Sequence, residues 1–139
     1  MIKTSVPYLV YNDDCKEALS YYVDIFGAEI IEKITFEDMG FIEELDRKSC
    51  IGHSVIKLGQ GLLYAADTIE KENFQNRAEN TRISIWLEID STEEINELEK
   101  KMLRTGSTSI LALHETFWDS KYTKIEDKFG IIWELNAQL

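Results

Sequence analysis

Glu134 is the residue whose type and setting most call for a chemical explanation. It stands in Gly-Ile-Ile-Trp-Glu-Leu (130–135), where a strand-like alternation surrounds a carboxylate with apolar side chains. A buried charge is costly unless paired or ligated, so a partner is expected. His53, in Gly-His-Ser-Val (52–55), is the side-chain type that titrates near neutrality and suits a general base. Desolvation of Glu134 against Trp86 raises its pKa, so Glu134 and His53 form a candidate catalytic acid–base pair. Leu9, Val55, Trp86, Glu88, Trp118, Tyr122 and Lys124 are the candidate pocket residues, since polar groups converging among aromatic rings typify small-molecule sites. Trp118 lies in a Phe-Trp-Asp-Ser turn (117–120) from which it can cap a ligand, whereas Trp133 reads as core. Cys15 falls at a helix start but on an apolar stripe, which points to packing, and His114 is given no role.

The elements that must position these residues come as a repeat. Residues 5–11 and 82–89 read as strands by alternation and β-propensity. Each leads into a helix start, Asp14 with Glu17 and Ser91 with Glu94, spaced as capping boxes. Steps of three and four residues put Cys15, Ala18, Leu19, Tyr22 and Phe26 on one helix face, and Ile95, Leu98 and Met102 on another. Gly27 and Gly106 are placed to end these helices in the left-handed region. A strand follows each helix, 28–36 and 108–117, and then a strand pair: 53–58 with 62–67, and 121–126 with 131–136. Gly-Leu-Leu-Tyr (61–64) and Gly-Ile-Ile-Trp (130–133) are near copies. The chain is therefore βαβββ written twice, a single α+β domain over 1–139 with modules 1–70 and 82–139. Residues 71–81 are expected as the connector. Residues 37–49 are expected as an irregular excursion, whose acidic run 37–46, with Met39, Phe41, Ile42 and Leu45 interleaved, reads as a short helix, a flap or a solvated loop.

Periodicity then divides each strand into two faces. Ile83, Ile85, Leu87 and Ile89 are expected beneath the second helix, with Ser84, Trp86 and Glu88 opposite. Carrying the same offsets across the repeat puts Val6, Tyr8 and Val10 beneath the first helix and Pro7, Leu9 and Tyr11 opposite. In the last strand Ile131, Trp133 and Leu135 fall on the helix side, and Ile132, Glu134 and Asn136 on the other. His53, Val55, Tyr122 and Lys124 join that other face.

A paired βαβββ chain resembles the vicinal oxygen chelate superfamily of glyoxalase I, extradiol dioxygenases, fosfomycin-resistance proteins and bleomycin-binding proteins, and within it the PhnB-like branch. The likeness rests on Val-Pro-Tyr-Leu (6–9), Glu-Ala-Leu-Ser-Tyr-Tyr (17–22), Ile-Phe-Gly-Ala-Glu (25–29), Gly-His-Ser-Val (52–55), Glu-Thr-Phe-Trp (115–118) and Asp-Lys-Phe-Gly-Ile-Ile-Trp-Glu-Leu (127–135). The resemblance implies one curved, cup-like mixed sheet with helices on the outer face and, commonly, a homodimer. It also implies four metal positions, one from the first and last strand of each module, which count out here as Pro7, Ala65, Ser84 and Glu134. Proline and alanine side chains cannot ligate a metal, and a serine hydroxyl is a poor ligand beside imidazole or carboxylate. The expectation is therefore a PhnB-like protein that binds a small organic molecule in the concave pocket, without a cofactor or catalytic metal. The alternative is a lyase or dioxygenase that uses Glu134 and His53 with one divalent metal ion.

Composition narrows the partners further. The 139 residues carry 15 Lys and Arg against 26 Asp and Glu, a formal net charge of -11. Its longest basic cluster, Lys100-Lys101 with Arg104, is no footprint for nucleic acid, whose binding depends on phosphate contacts. No apolar stretch approaches the roughly 20 residues of a membrane span, and no apolar signal region is seen. Two cysteines make neither a disulfide framework nor a zinc spacing, so a reduced, cytoplasmic setting is expected. A cup-shaped sheet would leave edges and an apolar rim uncovered, a second reason to expect a dimer.

Overall fold

The computed structural model describes residues 1–40, 45–70 and 82–139. The connector expected at 71–81, and Phe41 and Ile42 of the expected flap, lie outside the described residues. The chain divides into two compact units, Met1–Asn73 and Phe74–Leu139.

The first unit runs β1 (Tyr8–Tyr11), α1 (Cys15–Phe26), β2 (Glu29–Thr35), a short 3-10 turn (Leu45–Arg47), β3 (Ile51–Leu58) and β4 (Gly61–Asp67). Its sheet has the order β1-β4-β3-β2, with β1 parallel to β4 and the other pairs antiparallel. The second runs β5 (Ile85–Ile89), α2 (Thr92–Arg104), β6 (Thr108–Glu115), β7 (Ser120–Glu126) and β8 (Ile132–Gln138). Its order, β5-β8-β7-β6, repeats the same pattern of one parallel and two antiparallel pairs. The expected α+β architecture of tandem βαβββ modules is what the described residues form. Their eight strands divide into two four-stranded mixed sheets, each with its helix on the outside.

The helix termini show what positions them. Ser91 accepts a hydrogen bond from the backbone N–H of Glu94 at 3.2 Å, the first half of the expected capping box. At the other helix the expectation fails, because Asp14 makes no side-chain cap bond. Instead Asp67, at the end of β4, accepts the Cys15 N–H at 3.0 Å and the Ile51 N–H at 2.8 Å. A buried carboxylate thus satisfies one helix donor and one strand donor together. Gly27 closes α1 at φ 69, and Gly106 follows the Thr105 cap of α2 at φ 106, a region in which only glycine is unstrained.

Each sheet buries one face under its helix. In the first unit Leu9, Tyr11, Leu19, Tyr22, Ile51 and Ile56 are buried. Ile95, Met102, Ile125, Trp133 and Leu135 are buried in the second. Each large apolar side chain contributes roughly 1.5–3 kcal/mol. Lys121 reaches Asn96 of α2 at 3.2 Å, which marks the odd positions of β7 as helix-facing. The faces expected for β5, β7 and β8 are as observed within those strands, while Ile83 precedes β5 and is 75% exposed.

In β1 the expected faces are inverted. Tyr11 Oη lies 2.9 Å from Tyr22 Oη of α1, so Tyr11 and Leu9 face the helix, whereas Tyr8 and Val10 are exposed on the other side. The cause is one extra residue. From the last helix-facing strand residue to the N-cap there are three steps in the first unit (Tyr11 to Asp14) and two in the second (Ile89 to Ser91). Asp13, at φ 72, absorbs the difference. A shift of one residue moves every side chain of a strand to the other face.

The same inversion separates the near copies at 61–64 and 130–133. Trp133 is fully buried on the helix side, whereas Tyr64 stands on the opposite face. The β3–β4 hairpin pairs Leu58 directly with Gly61, while β7 and β8 resume pairing at Glu126 and Ile132. Their unequal turns undo the match in sequence.

Candidate functional site

In the second unit, the face opposite α2 gathers a carboxylate network over aromatic rings. Glu134 is opposite Trp86 across the parallel pair β5–β8, and opposite Lys124 across β8–β7. Ser84 Oγ donates to its Oε2 and Tyr122 Oη donates to its Oε1. Burial opposes ionisation of Glu134. The two hydroxyl donors and the Lys124 charge outweigh it and hold the carboxyl below the usual carboxylate range. The expected upward shift is thus reversed, because desolvation acts on a group that is already hydrogen-bonded in its charged form. The charged carboxylate is thus the form that this setting favours. Tyr122 answers with a phenol pushed up to about 12, by burial and by its bond to that carboxylate.

A second network lies one step along the same strands. Asn136 Nδ2 donates to Glu88 Oε2 at 2.9 Å, and Trp86 Nε1 donates to Glu88 Oε1 at 3.0 Å. Trp118 Nε1 donates to Asn136 Oδ1 at 3.0 Å. These bonds tie both indoles to the polar network. Trp86 stacks on Tyr122 with centroids 5.9 Å apart at 29°, while Trp118 and His114 meet the same ring edge-on at 5.7 and 5.8 Å. Tyr122 is the ring around which the others are arranged.

In the first unit the corresponding face carries Tyr8, His53 and Tyr64. Tyr8 Oη lies 2.7 Å from His53 Nδ1, and the His53 and Tyr64 rings are 5.0 Å apart. Val55 pairs with Tyr64 on the same face. Tyr8 has its phenol raised above the usual range, chiefly by burial.

The structure therefore brings Trp86, Glu88, Trp118, Tyr122, Lys124 and Glu134 onto one face of the second unit, and His53 and Val55 onto the matching face of the first. Leu9 is a correction: it is 7% exposed and shares the helix-facing side of Tyr11, so it does not line the open face. Ala65, one of the four counted metal positions, is fully buried. By ladder register the partner of Glu134 in the first unit is Tyr64, since Tyr8 pairs with Tyr64 as Trp86 pairs with Glu134. Pro7 alternates with Tyr8 and falls out of the set for the same reason.

Sequence reasoning missed Tyr8, Tyr64 and His114 as members of these faces, and left Asn136 out of the candidate pocket. Asn136 was on the correct face and, as an amide in an apolar strand, carried the same signal as Glu134. Tyr8 and Tyr64 were hidden by the parity error. Among the described residues no three of His, Cys, Asp and Glu converge so that they could hold a metal ion. Of the four counted positions only Glu134 carries a strong metal ligand, and its oxygens accept from Ser84 and Tyr122.

A family model, the Glyoxalase/Bleomycin resistance protein/Dioxygenase superfamily, matches residues 5–135. The chain belongs to this superfamily. Protein YjdN of Escherichia coli (strain K12) is 25% identical over 141 residues, covering 94% of this chain and 92% of YjdN. Among solved structures, PA1353 from Pseudomonas aeruginosa is 28% identical with a TM-score of 0.81, covering 99% of this chain and 98% of that one. The PhnB protein from Bacillus cereus has a TM-score of 0.80 at 18% identity, covering 97% and 99%, a likeness of fold alone. No helix among the described residues is long and apolar enough to cross a membrane.

Proposed function

We propose that this PhnB-like chain binds a small organic molecule on the strand face opposite α2, and that it does so without a catalytic metal. The observation that carries the reading is the arrangement of Trp86 and Trp118: exposed rings whose N–H groups are already bonded to Glu88 and Asn136. Rings held in advance lose little freedom when a ligand arrives. A Glu134 carboxyl held below the usual range suits accepting hydrogen bonds better than donating a proton, which supports a binding role. The metal-dependent lyase or dioxygenase reading is disfavoured by the donor set.

A thermal-shift screen of small molecules tests the reading, with tryptophan fluorescence as the second readout. Saturating ligand at about a hundredfold over its Kd adds roughly 2.7 kcal/mol of stability. One equivalent of Mn, Fe, Ni or Zn in protein purified without chelator would overturn the metal-free part. A homodimer belongs to the same proposal. The edge strand of each sheet exposes apolar side chains, Ile30 and Ile31 on β2 and Ile110 and Leu111 on β6, and a second copy would cover such an edge. Sedimentation as a dimer at micromolar concentration is the expected result. Two free cysteines suit a reducing, cytoplasmic setting.

A further inference from the structure

We propose that the open face of the second unit selects an organic cation, a quaternary or protonated amine. The inference rests on the small-molecule reading above and names its ligand class. Trp86 is 48% exposed and Trp118 is 43% exposed. Both indole N–H groups are spent inside the protein, on Glu88 Oε1 and Asn136 Oδ1 at 3.0 Å each. What the rings offer outward is therefore π surface, which is negative over the ring face. Cations are drawn to such a surface within about 6 Å of the centroid, and indole attracts them most strongly.

The charge beside the rings that no cation of this face opposes is negative. Glu88 accepts from Trp86 and Asn136, both neutral donors, and these bonds leave its negative charge in place. Glu134 accepts from the neutral hydroxyls of Ser84 and Tyr122, and Lys124, directly across the ladder, is matched to it. An anionic ligand would meet Glu88 here, while Lys124 is already matched to Glu134. An uncharged apolar ligand would desolvate Glu88 and return nothing for it. An organic cation satisfies both ring and carboxylate, and the chain's net charge of -11 favours its approach.

The test titrates the full-length chain with choline and with benzyltrimethylammonium, following tryptophan fluorescence, and repeats the titration with dimethylbutanol, the uncharged isostere of choline. Saturable quenching by the cations with at least about fivefold weaker response to the isostere is expected. Trp86→Phe and Glu88→Gln, both at exposed positions, should each weaken cation binding by about fivefold or more, with unchanged circular dichroism as the folding control. Equal binding of dimethylbutanol, or cation binding indifferent to Glu88→Gln, would overturn the cation assignment while leaving small-molecule binding intact. No response to either cation overturns it too. Failure of the wider screen would remove the underlying reading as well.

Discussion

The first unit carries Tyr8, His53 and Tyr64 on the face opposite its helix, two phenols around an imidazole. The second carries Ser84 and Tyr122 bonded to Glu134, and Asn136 bonded to Glu88, with the indole of Trp86 stacked on Tyr122. Strand order and hydrogen-bond sense are the same in both. One scaffold thus supports a face of mostly uncharged rings and a face of hydrogen-bonded carboxylates, because outward strand positions are not constrained by the core. The units also differ in how they satisfy backbone donors. Asp67 bridges α1 to β3 in the first. Asp127 gathers the N–H groups of Phe129 and Ile131 and the indole of Trp133 in the second.

The largest expected effects test those two aspartates. Asp127→Ala should cost about 3–4 kcal/mol in urea denaturation, since it leaves two backbone donors and a fully buried indole N–H unpaired. Asp67→Ala, with two donors lost, should cost about 2–3 kcal/mol. Losses below about 1 kcal/mol would show that neither aspartate anchors its unit. Next comes Tyr122→Phe, which removes a bond to an ionised carboxylate and is expected to cost about 1.5–2 kcal/mol while raising the Glu134 pKa, readable by NMR titration.

Acid titration separates the units by sign. The pKa of Glu134 is held below its ordinary 4.5, so the stability it contributes is present above 4.5 and is lost as pH falls through the folded value. Asp67 is raised above 3.8, chiefly by burial, so its protonation-linked contribution is present below 3.8 and is lost as pH rises through the folded value. The stability gap between the native chain and Glu134→Gln should therefore widen with rising pH in this acid range. The gap to Asp67→Asn should move the opposite way. The smallest expected effect is that of Tyr8→Phe, about 0.5 kcal/mol, since Tyr8 is 47% exposed and water can replace its bond to His53. A loss as large as that of Tyr122→Phe would make the two faces energetically alike.

Much of this was legible in the residues themselves. The stripe from Cys15 to Phe26, the Ser91 cap and Gly27 are local signals, and each corresponds to a local feature of the fold. The alternation of Ile85 to Ile89 correctly assigned the faces of the second unit, because that strand is regular to its end. The first unit defeated the same reasoning at Asp13, where one residue at positive φ reversed the parity of β1. Leu9 was lost from the open face for that reason, and Tyr8 was gained. The helix cap at Asp67 was invisible too, since it lies 52 residues from Cys15.

Periodicity, caps and the repeat determined by themselves that this chain builds βαβββ twice, because those features depend on neighbours a few residues apart. Only the tertiary structure decided which side chains meet across the ladders. It also decided that the Glu134 carboxyl is held below the usual carboxylate range, because Ser84, Tyr122 and Lys124 are brought to it by strand pairing.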